Sequence, residues 1–224
     1  MPDGFLDVPT SIGTAVVAAG GIALALRRAR TELDDRAAPL AGLVAVFIFA
    51  AQLITFPVGA GTSGHLLGGA LAAILVGPWT ATLAMTVVIT VQALLFSDGG
   101  ITALGTNLTL MGLVGVWVGW LAFVGARALL PRTRPGLVAS TAVAAFVSVV
   151  ATALAFVGLY AVGGAAPIPL DRLTVVMLTW HALIGLGEAL ITALAVSSIA
   201  AARPDLVNGF ARPTPEPTPT QVIA

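Results

Sequence analysis

The chain has no cysteine and no lysine, and charged residues of either sign are scarce. Of its 224 residues, 9% are charged and 58% are hydrophobic, and the mean hydropathy is +1.03. A soluble globular domain carries about 25% charged residues, so this chain has too little charge to cover a soluble surface. The lack of cysteine excludes disulfides, thiolate metal sites and thiol nucleophiles. Ten arginines balance ten acidic residues, so the net charge does not point to nucleic acid as a partner.

These absences leave a polytopic membrane protein, and seven apolar segments predict an all-α fold with about seven transmembrane helices. The segments are 10–27, 38–56, 64–77, 79–96, 103–126, 136–161 and 173–201. A crossing helix needs about 20 mostly apolar residues. Long continuous apolar runs favour helices over a barrel, whose strands alternate apolar and polar residues. Small residues predict close helix contacts in the third and fifth segments, at Gly68, Gly69, Ala72, Ala73, Gly112, Gly115 and Gly119.

The third segment, 64–77, is short for a full crossing and is followed by a Gly-Pro break. Its length corresponds to about 21 Å of helix, against about 30 Å of hydrocarbon, so it is either a short span or a re-entrant segment. The arginines favour seven crossings with the N-terminus outside and the C-terminus cytoplasmic. Nine of the ten then lie inside, and only Arg172 faces outward.

The chain divides into one transmembrane domain, residues 1–206, and a Pro/Thr-rich tail, residues 207–224, which we expect to be disordered and cytoplasmic. The N-terminus shows no charged region, apolar run and cleavage site in the order that defines a removable signal peptide. No internal repeat is evident, which argues against a secondary transporter built from inverted repeats.

Ionisable residues within spans are costly and are therefore functional candidates. His181 and Glu188 lie in the last segment, seven residues apart. Two helical turns place them on roughly one face, about 10 Å apart along the axis. They either form hydrogen bonds that fix helix packing, or contact substrate or a transported ion, for example as a proton relay.

His65 follows a predicted outer loop that contains Thr62 and Ser63. A neutral imidazole there suits a borderline metal such as Co²⁺, Ni²⁺ or Zn²⁺, although one histidine is not a metal site and an interfacial structural histidine is the alternative. Asp98 is predicted to form a turn. Asn107, like Gln92, is a candidate for a hydrogen bond between helices.

An ordered set of motifs covers residues 1–206. It comprises Pro2-Asp3-Gly4-Phe5-Leu6, Phe56-Pro57-Val58, Gly61-Thr62-Ser63-Gly64-His65-Leu66-Leu67-Gly68-Gly69, Gly77-Pro78-Trp79, Val91 to Phe96, Asp98-Gly99-Gly100, Gly105-Thr106-Asn107, His181 to Thr192, and Arg203-Pro204-Asp205. Together these motifs resemble the CbiM/NikM family, the substrate-binding membrane components of energy-coupling-factor (ECF) importers for cobalt and nickel. The resemblance implies seven helices and an extracellular N-terminus that reaches into the core.

The resemblance also implies a metal site in which nitrogen atoms form a near-planar set. In the family, the terminal amine, the backbone nitrogen and imidazole of the second residue, and a later histidine bind the ion. On this chain the implied metal ligands are Met1 and His65, with Co²⁺ or Ni²⁺ as transported substrate. Residues that would form a second shell or pathway are Thr62, Ser63, Asn107, His181 and Glu188.

The histidine that the family has at its second position is missing. This chain begins Met1-Pro2-Asp3, so Met1 stands at the family's third position. Pro2 cannot substitute, since it has no side-chain donor and no backbone N–H. Either the true start lies two codons upstream and supplies a Met-His pair, which is the hypothesis we favour, or the protein is a divergent member that binds metal weakly or differently.

The chain has no phosphate-binding loop of the Gly-x-x-x-x-Gly-Lys type, so ATP hydrolysis must come from elsewhere. The resemblance implies a transmembrane coupling subunit, two ATPase subunits and a small auxiliary membrane subunit, in a bacterial or archaeal cytoplasmic membrane. The alternatives are a proton-coupled secondary transporter using His181 and Glu188, another vitamin or metal specificity in this importer class, and, far less supported, an intramembrane metalloprotease.

Overall fold

Seven helices make up most of the computed structural model, which describes residues 1–32, 37–59 and 62–207. They are α1 Val8–Arg28, α2 Ala37–Gln52, α3 Gly69–Val76, α4 Pro78–Leu95, α5 Leu104–Leu129, α6 Arg134–Gly163 and α7 Leu170–Ala202. Within the described residues, α1, α4, α5, α6 and α7 are long and apolar enough to cross a membrane. The predicted all-α, polytopic membrane fold is confirmed. The predicted tail lies outside the described residues from position 208 onward.

The second and third predicted segments are both too long. Helix α2 ends at Gln52, and a short antiparallel hairpin follows, formed by β1 Phe56–Gly59 and β2 Thr62–Gly64. Pro57 disfavours helical backbone at the residue before it, so the apolar run up to residue 56 cannot stay helical to its end. Helix α3 then begins at Gly69 rather than at residue 64.

The helices alternate in direction. The start of α1 lies beside the end of α6, where the Asp7 N–H donates to the carbonyl of Gly163 at 2.7 Å. The other end of α1 lies beside the start of α4, where the two carboxylate oxygens of Glu32 accept the N–H groups of Trp79 at 3.2 Å and Thr80 at 2.7 Å. These two contacts lie at opposite ends of the bundle. The end with the Asp7–Gly163 contact is called the Met1 end, and the end with Glu32 is called the Glu32 end.

Arginines concentrate at the Glu32 end, as the sequence predicts. They follow α1, connect α5 to α6, and follow α7, at Arg27, Arg28, Arg30, Arg127, Arg132, Arg134 and Arg203. Arg172 lies at the start of α7, at the Met1 end. The predicted Arg36 and Arg212 fall outside the described residues. The positive-inside rule therefore predicts that the Glu32 end is cytoplasmic.

Helix α3 is the buried centre of the bundle. All eight of its residues are buried, although they span only about 12 Å. A Cβ placed on Gly69 would lie 3.0 Å from the backbone of Gly115, and one on Gly119 would lie 2.8 Å from the Cβ of Ala70. Small residues in both segments thus let the backbones of α3 and α5 touch. The sequence indicated close helix contacts in each segment, and the structure shows that the two segments contact each other.

Helix α5 is not uniformly α-helical. Its stretch Leu108–Gly115 is a π-helix, directly after Asn107. The hydroxyl of Ser148 on α6 donates to the carbonyl of Gly115 at 2.7 Å, which satisfies a backbone group at the end of the irregular stretch. Rare π-helical turns often occur at functional sites, and this one lies next to the cavity described below.

Candidate functional site

The N-terminal residues enter the bundle and are tied to the start of α5. The amine of Met1 donates to Asn107 Oδ1 at 3.0 Å, and Asn107 Nδ2 donates to the carbonyl of Met1 at 3.1 Å. That carbonyl also accepts the N–H of Gly100 at 3.0 Å. Burial lowers the pKa of the Met1 amine, although the nearby carboxylates of Asp98 and Asp3 oppose this shift. Burial thus favours the neutral amine, which is the form that can bind a metal.

Asp3 anchors the same segment from the outside. Its Oδ1 accepts the hydroxyl of Thr102 at 2.5 Å, the N–H of Thr102 at 2.9 Å and the N–H of Ala103 at 3.2 Å. The Thr102 hydroxyl and these backbone N–H groups hold the pKa of Asp3 below its usual range. The carboxylate is therefore charged at neutral pH and keeps the segment fixed.

Two apolar side chains, those of Phe5 and Leu6, also hold the N-terminal segment against the helices. Phe5 and Leu6 are buried, and the ring of Phe5 packs against those of Phe156 and Tyr160 on α6. The backbone of Leu6 also pairs with that of Gly164. Met1, Phe5 and Leu6 therefore tie the N-terminal segment to the bundle, while Pro2, Asp3 and Gly4 stay exposed. The resemblance implied an N-terminus that reaches into the core.

The imidazoles of His65 and His181 make the same kind of hydrogen bond, from Nδ1 to a backbone carbonyl. His65 Nδ1 lies 2.8 Å from the carbonyl of Leu66, and His181 Nδ1 lies 2.8 Å from the carbonyl of Met177. A carbonyl oxygen can only accept, so each Nδ1 carries the hydrogen. In the neutral ring, Nε2 then keeps its lone pair. Histidine ligands of metals are commonly oriented by such a hydrogen bond from the other ring nitrogen.

These groups meet in one cavity of about 100 Å³ at the Met1 end. Of the predicted site residues, its lining includes Met1, His65, Asn107 and His181. The cavity is large enough for an ion with a few waters, since one water occupies about 30 Å³ in the liquid. Four of the predicted site residues, from separate stretches of sequence, therefore line one cavity.

Sequence reasoning missed further residues that line this cavity, among them Asp98, Met111 and Met177. Asp98 was interpreted as a turn residue, and its Asp-Gly-Gly context gave no sign that the N-terminus would pack beside it. The two methionines fitted apolar helices and carried no separate signal. Their position depends on helix packing, which the periodicity of one segment does not reveal.

Glu188 does not line this cavity. It is 1% exposed, and its Oε2 and Oε1 accept the N–H groups of Leu67 at 2.7 Å and Gly68 at 2.9 Å. Gln52 Nε2 donates to the carbonyl of Leu67 at 2.7 Å. Of the two interpretations left open from the sequence, Glu188 fits the one in which it fixes packing. Thr62 and Ser63 belong to β2, and their side chains lie outside the described part of the structure.

A family model described as the cobalt uptake substrate-specific transmembrane region, CbiM, matches residues 1–206. The chain belongs to the CbiM family. A relative from Haloquadratum walsbyi, named for metal transport, is 42% identical over 211 residues, which cover 92% of each chain. The cobalt transport protein CbiM of Sorangium cellulosum is 36% identical over 196 residues, which cover 84% of each chain.

A solved structure of a truncated transition metal transporter superposes on this CbiM-family chain with a TM-score of 0.83. The two are 28% identical, and the match covers 90% of this chain and 98% of the other. As a CbiM-family member, the chain is the substrate-specific transmembrane component of a cobalt/nickel uptake system. It is a multi-pass membrane protein of a transport family and not an enzyme.

Proposed function

We propose that the chain captures Co²⁺ or Ni²⁺ in the cavity at the Met1 end, with the Met1 amine and His65 Nε2 as ligands. The observation that carries the proposal is that these two nitrogen donors, more than 60 residues apart in sequence, line the same cavity. Nitrogen donors suit both ions. We further propose that this end faces outward, so that the metal enters from the extracellular side.

The N-terminus is central to this proposal because side chains alone supply too few ligands. Among residues 1–32, 37–59 and 62–207, no three His, Cys, Asp or Glu side chains are grouped as a metal site requires. A bound ion therefore needs donors such as the terminal amine. His181 and Asn107, which line the same cavity, are proposed to act in the second shell or along the pathway.

Energy for transport is proposed to come from partner subunits. The sequence has no lysine and no phosphate-binding loop. The proposed partners are a transmembrane coupling subunit, two ATPase subunits and a small auxiliary membrane subunit, as in ECF importers. The chain would bind the ion, and the partners would drive its release into the cytoplasm.

Two measurements test the proposal. Equilibrium dialysis of the purified protein should detect bound Co²⁺ or Ni²⁺, and His65→Gln should abolish that binding. In proteoliposomes, the chain alone should not drive ATP-dependent uptake, and adding the coupling and ATPase subunits should start it. Absence of metal binding, or ATP-driven uptake by the chain alone, would contradict the proposal.

A proton-coupled secondary transporter using His181 and Glu188 receives less support. The two carboxylate oxygens of Glu188 accept the N–H groups of Leu67 and Gly68, and Glu188 is not among the residues that line the cavity with His181. This alternative predicts metal uptake by the chain alone under a pH gradient, and loss of that uptake in Glu188→Gln.

A further inference from the structure

The backbone that follows His65 is held from two sides. Glu188 on α7 accepts the N–H groups of Leu67 and Gly68, at 2.7 and 2.9 Å. Gln52 at the end of α2 donates to the carbonyl of the same Leu67 at 2.7 Å. Both the donor and the acceptor of the Leu67 backbone are thus fixed by buried side chains, two residues from the proposed ligand.

Glu188 also substitutes for a missing helix cap. Gly68 is the N-cap residue of α3, has a φ of +77°, and forms no side-chain cap hydrogen bond. The first N–H groups of a helix have no partner within the helix. The carboxyl group of Glu188, which is 1% exposed, supplies an acceptor for the Gly68 N–H from another helix.

A single helix therefore sets the positions of both imidazoles. Helix α7 carries His181 directly, and through Glu188 it holds the loop that carries His65. His181 and Glu188 are two helical turns apart, about 10 Å along the axis. A rigid helix fixes that separation, so movement of the loop relative to His181 requires these hydrogen bonds to break.

We infer that Glu188 is a positioning residue, which holds His65 in place for metal binding through the backbone of Leu67 and Gly68. The inference rests on the proposed function of the cavity. Glu188 itself is not placed to touch the metal, since its carboxylate oxygens accept the N–H groups of Leu67 and Gly68 and Glu188 is not among the residues that line the cavity.

Glu188→Gln tests this role with little change in volume. The Gln side chain has one acceptor oxygen, so one of the two buried N–H groups loses its partner and the loop shifts. We expect the Kd of Co²⁺ and Ni²⁺, measured by equilibrium dialysis, to rise about 10- to 100-fold, as when groups that orient metal ligands are lost. The visible absorption of the bound ion should also change, because its ligand geometry changes. Glu188→Asp, which keeps the charge, should recover part of the affinity.

Glu32→Gln is the matched control. Glu32 likewise accepts two successive N–H groups at the start of a helix, those of Trp79 and Thr80, but at the opposite end of the bundle. Glu32→Gln should lower the melting temperature of the protein and leave its metal affinity and the absorption spectrum of the bound ion unchanged. If Glu32→Gln weakens metal binding as much as Glu188→Gln, loss of stability explains both results and the inference is wrong.

A second variant keeps the test decisive if Glu188→Gln does not fold. Gln52→Met removes the hydrogen bond to Leu67 from the other side, and it should also weaken metal binding. If Glu188→Gln does not fold, a folded Gln52→Met variant that binds metal with the wild-type Kd would overturn the inference while leaving the proposed site intact. If the wild-type protein binds no metal, the proposed function itself fails, which is a distinguishable result.

Discussion

Met1 and Asn107 form a reciprocal pair of hydrogen bonds across 106 positions of sequence. The amine of Met1 donates to Asn107 Oδ1 at 3.0 Å, and Asn107 Nδ2 donates to the carbonyl of Met1 at 3.1 Å. An asparagine side chain offers both an acceptor and a donor, so it can hold both ends of one residue's backbone. The terminal amine is therefore fixed within the cavity that also contains His65.

Replacing Asn107 by Leu should release the N-terminus and weaken metal binding. Leucine has the same number of side-chain heavy atoms and the same branch point, although it is larger, and it offers neither hydrogen bond to Met1, so the amine loses its fixed position. We expect the Kd for Co²⁺ or Ni²⁺ to rise about 10- to 100-fold, as measured by equilibrium dialysis. The control is Thr106→Val, because the Thr106 hydroxyl pairs with that of Thr14 at 2.7 Å instead of contacting Met1. Equal affinity in wild type and Asn107→Leu would show that the hydrogen bonds between Asn107 and Met1 do not control metal binding.

The two histidines should differ in their contribution to binding. His65→Gln retains a donor for the Leu66 carbonyl but loses the Nε2 lone pair, so we expect metal binding to be abolished. His181→Gln makes the matching change at the other imidazole and should weaken binding less, since His181 is proposed to lie outside the first shell. Isothermal titration of both variants checks this order. A larger loss in His181→Gln would identify His181 as the principal side-chain ligand.

Adding Met-His ahead of Met1 should raise the affinity for Co²⁺ or Ni²⁺ by orders of magnitude. The added imidazole and backbone nitrogen supply the two donors that the family has and this chain lacks, and the extension begins at an amine that lines the cavity. A Met-Ala extension, of equal length but without the imidazole, is the control. An unchanged binding isotherm in the Met-His variant would count against the whole site.

Gly100→Ala should displace the N-terminal segment. A Cβ on Gly100 would lie 2.0 Å from Asp3 Oδ1, so the Asp3 carboxylate would have to move from its partners Thr102 and Ala103. We expect weaker metal binding together with faster proteolysis of the first residues. Gly125→Ala is the control, because a Cβ there meets no atom within 4 Å and alanine favours helix. Unchanged binding in Gly100→Ala would mean that the Asp3 anchor does not control the site.

The membrane class and the seven helical segments could be predicted because hydropathy is a local property of the chain. The boundaries were less predictable where apolar residues continue beyond a helix, as after Gln52, where the predicted segment continued to residue 56. The role of Asp98 could not be predicted, because it depends on where the N-terminus packs. For Glu188 the partners are backbone N–H groups more than 100 positions away, which carry no sequence signal.

The sequence by itself determined the membrane environment, the helical architecture and the family motifs. It also identified His65 as a candidate ligand and His181 as a candidate second-shell or pathway residue. These follow from composition, apolar run length and residue order, which are all readable along the chain. Only the tertiary structure decided that Met1, His65 and His181 line one cavity, and that Glu188 holds the loop beside it instead of lining it. The reason is physical: a metal site needs donors within a few ångströms, and only helix packing brings donors from distant segments that close.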